Sequence, residues 1–343
     1  MPDVLSALTT SIGVYSNAPT SYLSTLARVP GFRRSDLNGA VEERTLVRRG
    51  AMRGSVHLLP RAIVPEAVPA NLDKRERSLG PVVRSAVGDD YESIATAIEP
   101  ALAGRQLTSP EIRAAVGVTT DIGVGLTYVL GMMRLQCRIV ATSAAGGWRS
   151  NKLRYALWSD WLPDLDPFAL APEEARRRLA ARYAAAYGPV TLDDVAWWAG
   201  WTKTQTKAAV EEVDLSGAGA AMAQLEGVRL LPVWDMLMVG YRVRDRLFDA
   251  EMARYIYDAD GNATSVVLVE GRVVGVWELG KSDDPLALLV APFGEWPKAV
   301  WRGVEEQADR IRELLAASSV TIATVDPVDL AAAPRNKFLS PLS

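Results

Sequence analysis

The chain has 343 residues, 49% hydrophobic and 23% charged, which suffices for two or three units with real cores and excludes a disordered chain. Lys and Arg number 38 against 41 Asp and Glu, a net charge of −3, and the lone His and lone Cys exclude paired-histidine or multi-cysteine metal sites and internal disulfides. No apolar run reaches bilayer length, no basic leader opens the chain and no glycine-rich phosphate loop occurs, so a cytoplasmic protein with no membrane partner, metal or cofactor is expected.

In chain order, SIGVYSNAPTSYLSTLARVPGF (11–32) reads as the end of one helix, a break at Tyr15, Ser16 and Asn17, and a second helix. SDLNGAVEERT reads as a helix opening at Ser35, and LVRRGAMRGSVHLLP as a hairpin with Gly50 near its bend. Residues 28–61 hold eight Arg against three acids, a net of +5; residues 131–160 hold Arg134, Arg138, Arg149, Lys152 and Arg154 against Asp160, a net of +4. Two basic segments on an acidic chain fit a localised phosphate-binding face, or equally a solvated helix surface.

LTSPEIRAAVGVTT (107–120) aligns without a gap on VTLDDVAWWAGWTK (190–203), with Thr108 on Thr191, Ile112 on Val195, Gly117 on Gly200 and Thr119 on Thr202. Each copy opens with a capping residue: Ser109 before Pro110 in the first, and Thr191 with Asp194 as a capping box in the second. A glycine stop and a threonine restart complete a helix–turn–helix pattern, written twice. DIGVGLTYVLGMMRL supplies a helix after the first copy, QCRIVAT a strand and WRSNKLRYALW a returning strand, the pattern of a winged helix whose wing carries Trp148, Arg149, Lys152 and Arg154. The N-terminal region reads as a third, divergent copy.

PDLDP (163–167) is a linker ahead of an Ala/Arg-rich amphipathic helix. From about residue 226 strands dominate: SVVLVEGRVVGVWEL is a hairpin turning at Glu270-Gly271, LALLVAPF a strand, WPKAVWRGVEEQADRIRELLAASS a helix and VTIATV a last strand. The expected class is α+β, with tandem winged helices at 1–100, 101–166 and 167–225 and a small β-rich, barrel-like domain at 226–343. Trp197, Trp198 and Trp201, at helical spacing, and Met132 and Met133 are read as core. Asp235 is read as a cap or ion-pair partner.

Three segments carry a family resemblance. MRGSVHLLP (52–60) is similar to the MRGTLHLV signature of the AlkZ-like DNA glycosylases; GGWRSNKLRYALWSDWLP (146–163) and LLPVWDMLMVGYRVRDRLFD (230–249) resemble that family's later signatures, in order and at sensible spacing. The resemblance implies three winged helices that cup duplex DNA, excision of bulky alkylated purines or unhooking of crosslinks by water, and action as a monomer. Several members serve self-resistance in producers of DNA-alkylating natural products, which makes such a compound a second candidate partner. The family's catalytic feature is a Gln-x-Gln or Gln-x-Asp motif within a GLQAQSP-like stretch. GVYSNAP falls there, with Gly13 and Pro19 as anchors, Tyr15 and Asn17 in the two catalytic positions, and the preceding helix missing or shortened. Gln136, in LQCR, is read as an ordinary wing residue rather than a replacement.

Cleaving an N-glycosidic bond passes through a positively charged sugar and needs a positioned water and nearby polar groups. An amide cannot act as a base at neutral pH but can orient water. Asn17 is one methylene shorter than Gln, about 1.5 Å of reach, and a misplacement of about 1 Å costs on the order of a hundredfold. Tyr15 offers a phenol, or a ring to stack on a base; the plainer reading is that Tyr15 packs between helices and Asn17 caps the helix after Pro19. His57 follows Arg53 by four residues, so strand periodicity would put both on one face; the resemblance implies a DNA contact near the lesion for His57. Arg53, Arg149, Lys152 and Arg154 are the expected phosphate contacts. Two rival readings remain: a non-catalytic binder that shields damaged DNA or sequesters the genotoxin, and a winged-helix transcription regulator.

Overall fold

The structure, a computed structural model, describes residues 3–117, 125–146 and 148–330. Thr119 of the repeat, the start of DIGVGLTYVLGMMRL, Gly147 of the wing loop and the last thirteen residues of the C-terminal domain lie outside the described residues.

The chain opens with α1 (Val4–Thr10), capped by Asp3, whose carboxylate accepts the Ser6 N–H at 2.7 Å, so the helix before the break is short but present. Gly13 then turns the chain at φ +85°; a Cβ there would lie 2.5 Å from the Leu58 carbonyl oxygen, so only glycine fits. β1 (Val14–Tyr15), α2 (Thr20–Arg28), α3 (Arg34–Glu42), β2 (Leu46–Gly50) and β3 (Val56–Pro60) follow, the last two forming the expected hairpin around Gly50. A long helix, α4 (Val64–Val87), leads to α5 (Tyr91–Leu102).

The repeated motif begins with β4 (Leu107–Thr108) and α6 (Ser109–Val116), then α7 (Gly125–Leu135), β5 (Ile139–Ala144), β6 (Leu153–Leu157) and α8 (Trp158–Trp161). Thr108, not Ser109, caps α6: Glu111 falls at the third helical position counted from Thr108, and each side chain bonds the other's backbone. Gln136 sits in the turn between α7 and β5, where its carbonyl accepts the Tyr91 hydroxyl, rather than within the wing strand. The Ala/Arg-rich helix is α9 (Pro172–Tyr187); the second copy follows as α10 (Leu192–Ala199) and the start of α11 (Lys203–Val210), with the Thr191–Asp194 capping box formed and Gly200 left-handed at φ 76°, and a short α12 (Ala220–Ala223) comes after it.

Two sheets organise these elements. One runs β1-β3-β2-β5-β6-β4, so the hairpins of the first two expected units share a single sheet, joined where Arg48 pairs with Ala141. Residues 167–225 contribute helices and no strand. The second sheet takes β7 (Val228–Leu231), β8 (Val266–Val269), β9 (Arg272–Asp283), β10 (Leu286–Pro292) and β11 (Val320–Thr324) in the order β11-β10-β9-β8-β7. It is an open sheet covered by α14 (Lys298–Leu315), not a closed barrel; a short α13 (Ala253–Ile256) lies before β8. The fold is thus α+β, as the order of expected helices and strands implied.

The N-terminal helices and the C-terminal sheet share one apolar core, in which Leu8, Leu23, Leu26 and Leu37 meet Val267, Trp277, Leu288 and Ile311. One face of α2 fastens this join. Thr20 donates to the Val233 carbonyl at 3.0 Å, Ser24 to Asp235 at 2.7 Å, and Arg28 forms a two-pronged pair with Asp235 at 2.8 and 2.7 Å. The pair is wholly buried. Burial alone would raise the Asp235 carboxyl, but Arg28, Ser24 and the Leu237 N–H hold it below its ordinary value. Asp235→Ala leaves Arg28 buried without its counter-ion and is expected to cost about 3–5 kcal/mol, measured as a lower urea midpoint at unchanged slope.

Candidate functional site

The break after α1 becomes a fixed shelf. Tyr15 pairs with His57 in antiparallel register, and the Ser16 N–H donates to the Val56 carbonyl at 2.9 Å. From beneath, Arg48 donates to the Ser16 carbonyl at 2.6 Å and hydroxyl at 2.8 Å. Burial pushes the Arg48 guanidinium down to about 10. Asn151, from the loop between β5 and β6, brackets Ala18: its carbonyl accepts the Ala18 N–H at 2.8 Å and its amide donates to the Ala18 carbonyl at 3.2 Å. The Asn17 side chain makes no helix cap; its amide approaches the Tyr15 hydroxyl at 3.5 Å, while its backbone carbonyl accepts Ser21.

Tyr15 and His57 line a cavity of about 200 Å³ with Met52, Arg53, Ser55, Trp198, Trp234, Met236, Val239 and the Asp260–Asn262 loop. Tyr15 lies 6.3 Å, edge-on, from His57 and 5.1 Å from Trp234. Burial raises the Tyr15 phenol above its ordinary value, so it stays protonated. Arg53 and Trp234 are the two non-glycine residues lining the cavity with left-handed backbones, φ 53° and 59°. Such strain persists only where surrounding packing imposes it, and it concentrates at functional sites. Arg53 therefore sits in the hairpin bend, not on the strand with His57, yet both reach the same cavity.

A wider basic groove of about 500 Å³ adjoins this cavity through Arg53, lined also by Lys74, Lys203 and Arg242, with Asp193 as its one carboxylate and Trp197 and Trp201 as its aromatic side. Arg53 also lines a third cavity, with Lys74, Arg75 and Asn71. The Arg53 guanidinium stacks on Trp197 at 4.1 Å, and Arg244 lies 5.4 Å from the same ring. Burial and then Arg244 lower the Arg53 guanidinium. The Asp194 carboxylate serves twice, accepting the Thr191 N–H at 2.9 Å in the α10 capping box and the Arg242 N–H at 2.8 Å, which fixes the loop that brings Arg242 to the groove.

Residues 9–314 match the sequence profile of a family described as DNA glycosylase AlkZ-like. The chain belongs to this family. The curated Interstrand DNA cross-link repair glycosylase of Streptomyces sahachiroi is 24% identical over 330 residues, 85% of each chain. The solved structure of the Streptomyces sahachiroi DNA glycosylase AlkZ superposes with a TM-score of 0.70 at 21% identity, over 95% of this chain and 94% of that one. That likeness is one of fold.

The residues expected to act on DNA divide in this AlkZ-like chain. Tyr15, His57 and Arg53 converge on one cavity, with Asn17 beside Tyr15. Arg149 instead pairs with Asp283 of β9 at 2.7 Å, where Trp148 also donates at 3.0 Å. Arg154 pairs with Glu111 at 3.2 Å, and Lys152 is exposed. Within the basic segment 28–61, Arg28, Arg48 and Arg49 point inward. Trp198 and Trp201 are core, as read, but Trp197 is only partly buried and faces the groove. Sequence reasoning passed over Lys74, Lys203, Arg242, Arg244, Trp234 and Asn151. Lys203 opens the second helix of the repeated motif, and Asn151, Trp234, Arg242 and Arg244 lie in the segments that carry the family resemblance; Lys74 had no such signal. No three His, Cys, Asp or Glu side chains cluster as metal ligands, and no helix is long and apolar enough to cross a membrane, among the described residues.

Asn151→Ala removes the bracket on Ala18. It is expected to raise hydrogen exchange at the Ala18 amide about tenfold, with a global stability loss near 1 kcal/mol; unchanged exchange would separate the wing loop from the shelf.

Proposed function

We propose that the protein is a monofunctional DNA glycosylase: it grips duplex DNA in the basic groove, draws an alkylated purine into the Tyr15–His57–Trp234 cavity and hydrolyses its N-glycosidic bond. The carrying observation is Arg53, shared by the groove and the aromatic cavity, so a phosphate held in one lies beside a base held in the other. Arg53, Lys74, Lys203, Arg242 and Arg244 supply sequence-independent charge. Tyr15 and Trp234 offer rings on which a cationic N7-alkylpurine can stack, and Asn17 supports the Tyr15 hydroxyl. The curated relative's printed role in cross-link repair extends the substrate class to crosslinked purines, and self-resistance to a DNA-alkylating compound is the setting in which such an activity serves. Lys152, exposed on the wing, would add a phosphate contact. Arg149 and Arg154 would do so only by giving up Asp283 and Glu111. The protein acts in the cytoplasm, as a monomer in which the units at 1–100 and 101–166 work as winged helices and the strandless unit at 167–225 as a helix–turn–helix module.

A second reading, binding without catalysis, draws on Tyr15 and Asn17 standing where the family's glutamines are expected. Cavity size decides between its two forms. About 200 Å³ is below the ~300–1,000 Å³ usual for drug-sized ligands, so a single base is favoured over an intact natural product.

Base release from duplex DNA carrying N7-alkylguanine, followed on denaturing gels after abasic-site cleavage, is expected at rates well above spontaneous loss. Binding without release from any adduct would leave only the second reading. Arg53→Ala and Lys203→Ala should each weaken duplex binding and reduce the slope of log K against log salt by about 0.9, whatever the sequence.

A further inference from the structure

We propose that His57 is a catalytic residue: its Nε2 accepts a hydrogen bond from the attacking water, aims that water at C1′ of the sugar, and takes its proton. This rests on the glycosylase reading above and names the base for that reaction.

The geometry starts at the β1–β3 pair, where the Tyr15↔His57 register puts both side chains on the cavity. His57 Nδ1 lies 3.0 Å from the Ser55 carbonyl oxygen. A carbonyl can only accept, so the proton sits on Nδ1 and Nε2 keeps its lone pair. Of the other polar groups lining the cavity, the Tyr15 phenol is held protonated by burial and the indole N–H groups of Trp198 and Trp234 only donate. The Asn262 side-chain NH2 donates to Asp258 at 2.9 Å, and Asp260 stands exposed on the same loop. The Asn262 side-chain oxygen and the Ser55 hydroxyl can accept a hydrogen bond but are too weakly basic to take a proton. His57, 2% exposed, is the sheltered neutral group that can do both.

Its charge state agrees. Burial pushes the imidazole down to about 4; the Ser55 carbonyl opposes this and Arg75 of α4 adds to it. The other groups turned toward the same cavity are Tyr15 from β1, Arg53 from the hairpin bend and Asp260 from the loop before β8. His57 is therefore neutral at any pH near 7, with its lone pair available. A weak base suffices, because a water bonding to a cationic sugar becomes strongly acidic as it attacks.

The step balances as follows. The C1′–N9 bond breaks and its electron pair enters the N7-alkylpurine, cancelling that ring's positive charge. The water oxygen bonds C1′, its proton passes to Nε2, and the products are a neutral base, an abasic sugar and an imidazolium. Arg75 disfavours that imidazolium, which returns its proton to solvent.

The single histidine makes the test direct, since a 15N-histidine spectrum contains one ring. It should show the Nδ1–H tautomer, unprotonated from pH 5 to 8. Single-turnover release of N7-methylguanine from a duplex should fall at least about a hundredfold in His57→Ala, within the range for a lost general base, while DNA affinity stays within threefold. His57→Gln, whose carbonyl can accept from water, should recover part of the loss, and it preserves the test if the alanine variant does not fold. The wild-type rate, corrected for spontaneous loss, should be flat above pH 5 and decline as Nε2 protonates near pH 4; the glutamine variant should not decline. An Nε2–H tautomer, or full activity in both variants, overturns the role of His57 alone. A wild type that binds the duplex and releases no base overturns the glycosylase reading and this role with it.

Discussion

One face of α2 holds the site together. Thr20, Ser24 and Arg28 stand four residues apart, one above another on the helix, and all three grip the turn at Val233–Asp235. Between those two anchors lies Trp234, which closes the cavity over Tyr15. Residues 207 to 213 positions apart in sequence therefore meet through a single buried charge pair and two hydroxyls. Such a pair is weak as a source of net stability, because desolvating both ions costs nearly as much as their attraction returns. Its contribution is registration: both ions are satisfied in the observed alignment of α2 with the Val233–Asp235 turn, and that alignment holds Trp234 over Tyr15.

The fold was legible wherever the determining interactions are local. The Thr191–Asp194 box, the glycine stops at Gly117 and Gly200, the Glu270-Gly271 turn and the hairpins at 46–60 and 266–283 depend on residues within a few positions of each other, and they formed where expected. The shift of the α6 cap from Ser109 to Thr108 has a local cause too: both residues can cap, and only the distance to Glu111 decides. The joining of two hairpins into one sheet and the open form of the second sheet depend on edges meeting across the chain, which periodicity does not encode.

The site was half legible for a related reason. The shelf at Tyr15–Asn17 stood out as a break in pattern and lines or adjoins the cavity, whereas Arg53 was expected on the strand with His57 and lies instead in the bend. Counting charge along the chain did worse, because a count cannot tell which way an arginine points. Arg149 is neutralised by Asp283, 134 residues away, and Trp148 shares that carboxylate, so the wing tip is a strap onto β9. Meanwhile the groove collects Lys74, Lys203 and Arg242 from three segments, all outside the two basic segments that the charge count singled out.

The arginines of residues 28–61 thus serve two ends. Arg28, Arg48 and Arg49 spend their donors on Asp235, on Ser16 and on the Leu135 carbonyl, fixing the backbone around the shelf. Arg53 alone among these four turns outward, and it does so through a left-handed backbone beside Gly54, itself at φ 82°. The inward set places Tyr15 and His57, while the outward one, stacked on Trp197, faces the groove. Because the strained bend joins directly to β3, the position of Arg53 and that of His57 are not independent. On the function proposed above, a phosphate captured by the guanidinium would be held at a set distance from the imidazole, and this link would tie the grip on DNA to the chemistry on one base.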